Sequence, residues 1–164
     1  MCTVSRSSRL RARDIVERLG DEQIQVLREG GVKEHPSALA VEDGFIPVGR
    51  GAELPSEELI LRDDQPSGPC AAVLRDVAIA PSGKVLPCCS VAGLTRSAEV
   101  GNARETRLRE LIEAAGRRPV FRVLREEGPQ GLHKLLDVKT RSRYVSRCHM
   151  CYEALRGLCS GSLL

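Results

Sequence analysis

The placement of the cysteines constrains this chain more than any other feature. There are seven: Cys2, Cys70, Cys88, Cys89, Cys148, Cys151 and Cys159. Cys148 and Cys151 are separated by two residues, a spacing that lets both thiolates turn toward one ion or cluster. Alone, such a pair is a weak signal, because zinc knuckles, redox dithiols and chance all produce it. Here Cys70 and Cys88 complete a set of four thiols, the ligand number of a structural zinc site or of an iron–sulfur cluster. A redox dithiol belongs early in a βαβ unit, whereas this pair comes near the C-terminus after several expected helices. An odd number of cysteines also fits a complete disulfide framework poorly.

The compartment points the same way. No stretch reaches the roughly 18 apolar residues that a membrane-spanning helix needs. Residues 1–20 are rich in Arg and Ser and lack the apolar centre of a secretory signal. The expected location is the cytoplasm, with no membrane partner. Thiols stay reduced there, so seven cysteines argue for metal or redox chemistry before disulfides. Phe45, Phe121, Tyr144 and Tyr152 are the only aromatic rings. The core must therefore rest on Leu, Val, Ile and Ala, and a metal cross-link would support it.

Charge excludes one class of partner. The formal net charge is +3, too small for strong steering toward nucleic acid. Arg104, Arg107 and Arg109 alternate with Glu105 and Glu110, which reads as a solvated helix face with i,i+3 and i,i+4 pairs. No aromatic ring lies beside them to stack a base.

The chain reads as two parts. Residues 62–69, Arg-Asp-Asp-Gln-Pro-Ser-Gly-Pro, form a polar, turn-rich linker, so the expected division is 1–61 and 62–164. In the first part, Leu10, Ile15, Val16 and Leu19 mark a short helix. Asp21 is placed to cap a second helix carrying Ile24, Val26 and Leu27, with Gly30 ending it. Residues 45–51 read as extended and punctuated by Gly, and Ser56 to Leu61 as one or two helical turns.

In the second part, Val77 and Ile79 alternate with Asp76, Ala78 and Ala80, the pattern of a half-buried strand. Ala80-Pro81-Ser82-Gly83 is a turn, with Pro presetting φ and Gly free to adopt φ > 0. Val85 and Leu86 lead back to Cys88. Cys70 and Cys88, separated by 17 residues, thus flank a hairpin that brings their thiols together. Asn102 and Glu105 resemble a capping box, and Leu108, Leu111, Ile112 and Ala115 follow at helical spacing up to Gly116. Pro119 starts another helix with Val120, Val123 and Leu124, ended by Gly128. Leu132, Leu135 and Leu136 mark a third. A basic loop, 139–147, precedes a last helix opened by Cys148-His149-Met150-Cys151.

The combined pattern resembles the SPASM/twitch domains of radical-SAM enzymes. Cys70, twelve residues, Gly83, four residues, Cys88 fits the opening motif of that family. Leu86-Pro87-Cys88-Cys89 is similar to its Pro-Cys-Cys segment, and Gly101-Asn102 with the charged helix to Gly116 is similar to its Gly-Asn segment. Cys148-x2-Cys151 completes the four-thiol set of the shorter, twitch type. The resemblance covers residues 68–155. It implies an α+β fold, a β-hairpin followed by short helices around a four-cysteine site, here with a helical N-terminal extension. It also implies an auxiliary [4Fe-4S] cluster held by Cys70, Cys88, Cys148 and Cys151. Such a cluster is associated with electron transfer or substrate engagement in the modification of peptides or proteins. Residues 1–61 would then resemble the end of a radical-SAM barrel plus its linker.

The departures are informative. The full SPASM pattern carries a second group, Cys-x2-Cys-x5-Cys-x3-Cys. Here Cys151 is followed by seven residues, Cys159, and no further thiol, so a second complete cluster is not expected. No Cys-x3-Cys-x2-Cys, the motif of the cluster that cleaves S-adenosylmethionine, occurs anywhere. S-adenosylmethionine chemistry therefore requires a radical-SAM core supplied elsewhere, and no catalytic residue is assigned. Zinc at the same four thiols, stapling a non-enzymatic adaptor or regulator, is the alternative. Cys89 and Cys159 are the substitute ligands. Adjacent side chains of an extended segment face opposite ways, so Cys89 reads as a packed thiol rather than a fifth ligand. Cys2 reads as incidental. His149 reads as exposed or capping, and His35 and His133 as structural. Ser82-Gly83-Lys84 lacks the glycine-rich frame of a phosphate loop.

Overall fold

A computed structural model describes residues 2–4, 6–8, 11–20, 24–28 and 38–157. The chain forms two compact units, Met1–Leu61 and Arg62–Leu164. Strands and helices occur in both, which makes the fold a mixed α+β one.

Among its described residues the first unit carries three strands, β1 (Cys2–Val4), β2 (Ile24–Arg28) and β3 (Ala38–Gly44), and one α-helix, α1 (Ala12–Leu19). The strands lie in the order β1-β3-β2, and both pairings are parallel. Helix α1 is the expected first helix, closed by Gly20 at φ 64°. The second expected helix does not form. Residues 24–28 are instead a strand, paired from Ile24 opposite Ala38 to Arg28 opposite Glu42. Ile24, Val26 and Leu27 suit either period, and β-branched residues favour a pleated surface once a partner strand is present. That partner, β3, is non-local and left no mark in the local pattern. Phe45–Val48 carries no regular structure, then short 3-10 turns cover Gly49–Glu53 and Ser56–Glu58.

The second unit opens with the hairpin. Strand β4 (Ala78–Ile79) pairs antiparallel with β5 (Lys84–Leu86), which also pairs with β6 (Gly101–Asn102). The turn forms as its residues dictate. The Gly83 N–H donates to the Ala80 carbonyl at 2.8 Å, and Gly83 takes φ 89°. A side chain there would also run into Asn102 Oδ1 and Arg104 Cγ. Asn102 does not cap the next helix. Its Oδ1 accepts the Arg104 N–H at 2.9 Å, so it closes a local turn. The helix starts at Leu108, without a side-chain cap.

Four helices follow: α2 (Leu108–Gly116), α3 (Pro119–Glu126), α4 (Pro129–Leu135) and α5 (Arg147–Arg156). Pro119 and Pro129 occupy first helical positions, where the missing N–H has no intrahelical acceptor to lose. Ser146 caps α5 by accepting the His149 N–H. Val85, Val100, Ala115, Val120, Phe121 and Leu132 form the centre of the core, with Leu155 from α5. Phe121 is fully buried and the Arg118 guanidinium lies 5.9 Å from its ring centroid.

Candidate metal centre

Cys70 and Cys88 are brought together by the base of the hairpin. The Cys70 N–H donates to the Leu124 carbonyl on α3 at 2.9 Å, and the Leu74 N–H donates to the Pro87 carbonyl at 2.8 Å. Gly128, at φ 75°, allows the junction of α3 and α4 to press against the Gly68 carbonyl, a place any side chain at 128 would occupy. That close approach seats the segment leading into Cys70. Cys148 and Cys151 arrive on the first five residues of α5.

All four thiols line one cavity, whose other walls include Val73, Phe121, Leu124 and Leu155. Cys70, Cys88 and Cys148 are half-buried and Cys151 is buried. The walls hold no carboxylate and no imidazole. Among the described residues, no three His, Cys, Asp or Glu side chains converge on a single-ion position. The thiols are thus grouped around a shared space rather than drawn onto one point. The donor set, four thiols in an apolar enclosure, fits a thiolate-bound cluster.

Electrostatics agree with this grouping. Burial pushes the Cys151 thiol far above the ordinary thiol range, and the nearby thiols of Cys88, Cys148 and Cys70 push the same way. Burial also raises Cys148; a hydrogen bond with Ser90 opposes this, and Cys88, Cys70 and Cys89 add to the rise. Cys148 and Cys151 are therefore neutral thiols near pH 7 in the metal-free chain. Metal binding must displace their protons.

Two residues not singled out by their spacing complete the surroundings. Ser90 Oγ lies 3.2 Å from Cys88 Sγ and also bonds Cys148. Arg147 lies on the cavity wall. It donates from Nη1 to the Pro69 carbonyl at 2.5 Å and from Nη2 to the Ser67 carbonyl at 2.6 Å. A single guanidinium thus ties the residue before Cys70 to the residue before Cys148. The only sequence signal for either is adjacency to a cysteine.

The other candidates have different places. Cys89 is exposed and does not line the cavity, so it is not the packed thiol expected. Cys2 lies on β1, and Cys159 and His35 lie outside the described residues. His149 is neither exposed nor a side-chain cap. Its ring is buried, Nδ1 accepts the Val145 N–H at 3.2 Å, and Nε2 stands 3.5 Å from Glu153 Oε1. The last helix packs inward, and the ring fills space against Tyr144, 5.4 Å between centroids. His133 is buried too, with its ring nitrogens 3.1 and 3.0 Å from the Val138 and Met150 carbonyls.

Hairpin, helices and thiol-lined cavity make up a small α+β domain with its cysteines gathered on one side of the core. The family model of the SPASM domain, an iron–sulfur cluster-binding domain, matches residues 70–152, just over half of the chain. The chain belongs to this family, and iron–sulfur binding is the property the family carries. Comparison with curated proteins and with solved structures returns no match. No helix among the described residues is long and apolar enough to cross a membrane.

Proposed function

We propose that Cys70, Cys88, Cys148 and Cys151 hold one [4Fe-4S] cluster, and that the chain is the auxiliary part of a radical-SAM enzyme acting on a peptide or protein. The observation that carries this reading is the set of four thiols on one apolar cavity, all within the matched span. When bound, such a cluster supplies one-electron transfer. Four protein thiolates leave iron no open position, which favours electron transfer over direct ligation of substrate. Cys70 and Cys88 anchor one side from the hairpin, and Cys148 and Cys151 the other from α5. Phe121, Leu124 and Leu155 exclude water between them. S-adenosylmethionine cleavage belongs to a catalytic core outside these 164 residues. The parallel strands of Met1–Leu61 suit the end of an α/β barrel.

The test is the metal content of anaerobically purified chain. About four iron and four acid-labile sulfide per chain are expected. Both should be lost in Cys148→Ala and Cys151→Ala and kept in Cys89→Ser. One zinc per chain without sulfide overturns the proposal in favour of a zinc-stapled adaptor.

A further inference from the structure

Beside the thiol cavity lies a second, larger concavity of about 780 Å³, within the usual size range of ligand sites. It is lined by the segment from Pro69 to Arg75, by the end of α2 and by Arg125 of α3. Cys70 lines both spaces. Whatever occupies the cleft therefore lies one side chain from the four-thiol cavity.

The cleft has an uneven charge. Arg75 on its wall is neutralised by Asp76, with two contacts of 2.9 Å. Glu113 is engaged by Arg109 at 2.9 Å. Among the described residues, the guanidinium groups of Arg117 and Arg125 have no such partner. Arg125 reaches across to the end of α2, where Gly116 leaves it room; a methyl group at 116 would stand 3.4 Å from Arg125 Nη2. Two uncompensated cations thus flank a floor that includes the apolar side chains of Val73 and Leu74. Leu74 holds the left-handed region, φ 57°, a conformation costly for a branched residue and kept only where the surroundings enforce it.

We propose that this cleft binds an acidic peptide segment, with carboxylates on Arg117 and Arg125 and apolar side chains on Val73 and Leu74. Guanidinium forks match carboxylates in geometry as well as charge. The assignment rests on the auxiliary-domain reading for its consequence, which is that the bound segment abuts Cys70. The binding itself does not depend on the cluster.

The experiment is fluorescence anisotropy with the full chain, purified anaerobically. The probe is a tetramethylrhodamine-labelled hexapeptide alternating Glu and Leu, compared with its Gln–Leu counterpart. The acidic peptide should bind at least tenfold more tightly than the neutral one. Arg117→Glu with Arg125→Glu should abolish that preference. Both residues are exposed, so folding should survive, and circular dichroism checks it. Arg122→Glu, an exposed change outside the cleft, should leave the affinity within twofold of the parent chain. Equal affinity for both peptides, an unaffected double variant, or an equal loss in Arg122→Glu overturns the proposal. Iron and sulfide measured on the same samples keep failure of the cluster reading distinct. Peptide selectivity in a chain without sulfide upholds the cleft and overturns only the cluster.

Discussion

Burial decides the protonation of His149. Loss of solvent pulls its pKa below the ordinary imidazole value, while Glu153 pulls it partly back; the net direction is down. In the unfolded chain the same ring titrates near pH 6.5. Below that pH the unfolded state takes a proton that the native state refuses. The contribution of the neutral buried ring is therefore complete above about pH 6.5 and is lost as pH falls toward the native pKa. Urea midpoints measured against pH should fall on the acid side in the parent chain. His149→Gln should flatten that slope while lowering stability at neutral pH; identical slopes would remove His149 from the account. The sequence alone read this ring as exposed or capping, because local spacing does not reveal which way a short helix packs. The four thiols were easier to find. Their chemistry is visible in residue type, and Cys148-x2-Cys151 is a purely local spacing.

Elements with local causes were legible and those with distant causes were not. The hairpin follows from Pro81 and Gly83, and α3 from Pro119. Strand β2 was read as a helix because its partner β3 begins ten residues further on, and pairing overrides local preference. Cys70 and Cys148 depend on another long-range link, Arg147, which joins α5 to the linker at residues 67 and 69. Replacing Arg147 with Met should remove both bonds; the Ser67 and Pro69 carbonyls are in exposed surroundings where water can take the donor's place, so the stability cost should be small, about 1 kcal/mol. The replacement should also reduce iron and sulfide retained after gel filtration. Arg147→Lys should restore little, since an ammonium cannot span both carbonyls as a planar fork does. Full retention of iron in Arg147→Met would show that the hairpin alone sets the position of Cys70.

At the scale of the molecule, the second unit has few aromatic anchors; among its described residues Phe121 and Tyr144 are the fully buried Phe and Tyr side chains. A metal group joining the hairpin to α5 would link its earliest and latest elements. Removing it with a chelator under oxidising conditions should therefore lower thermal stability. For a ligand held at 100 times its dissociation constant the loss is about 2.7 kcal/mol. Hydrogen exchange should rise first in α5 and in the segment around Cys70. Unchanged melting after complete loss of iron would mean that the thiols are spectators of folding.

Residue type and spacing alone determined the four-thiol pattern, the family resemblance, the hairpin turn and the start of α3 at Pro119. Each of these is set by atoms a few residues apart. Tertiary structure decided which thiols share a cavity, that Cys151 and His149 are buried, that Cys89 is exposed, and that Arg117 and Arg125 face a cleft beside Cys70. Those facts depend on packing between segments up to 80 residues apart, as in the bond from Arg147 to Ser67. Burial and desolvation arise only when such segments meet, so no local pattern could have encoded them.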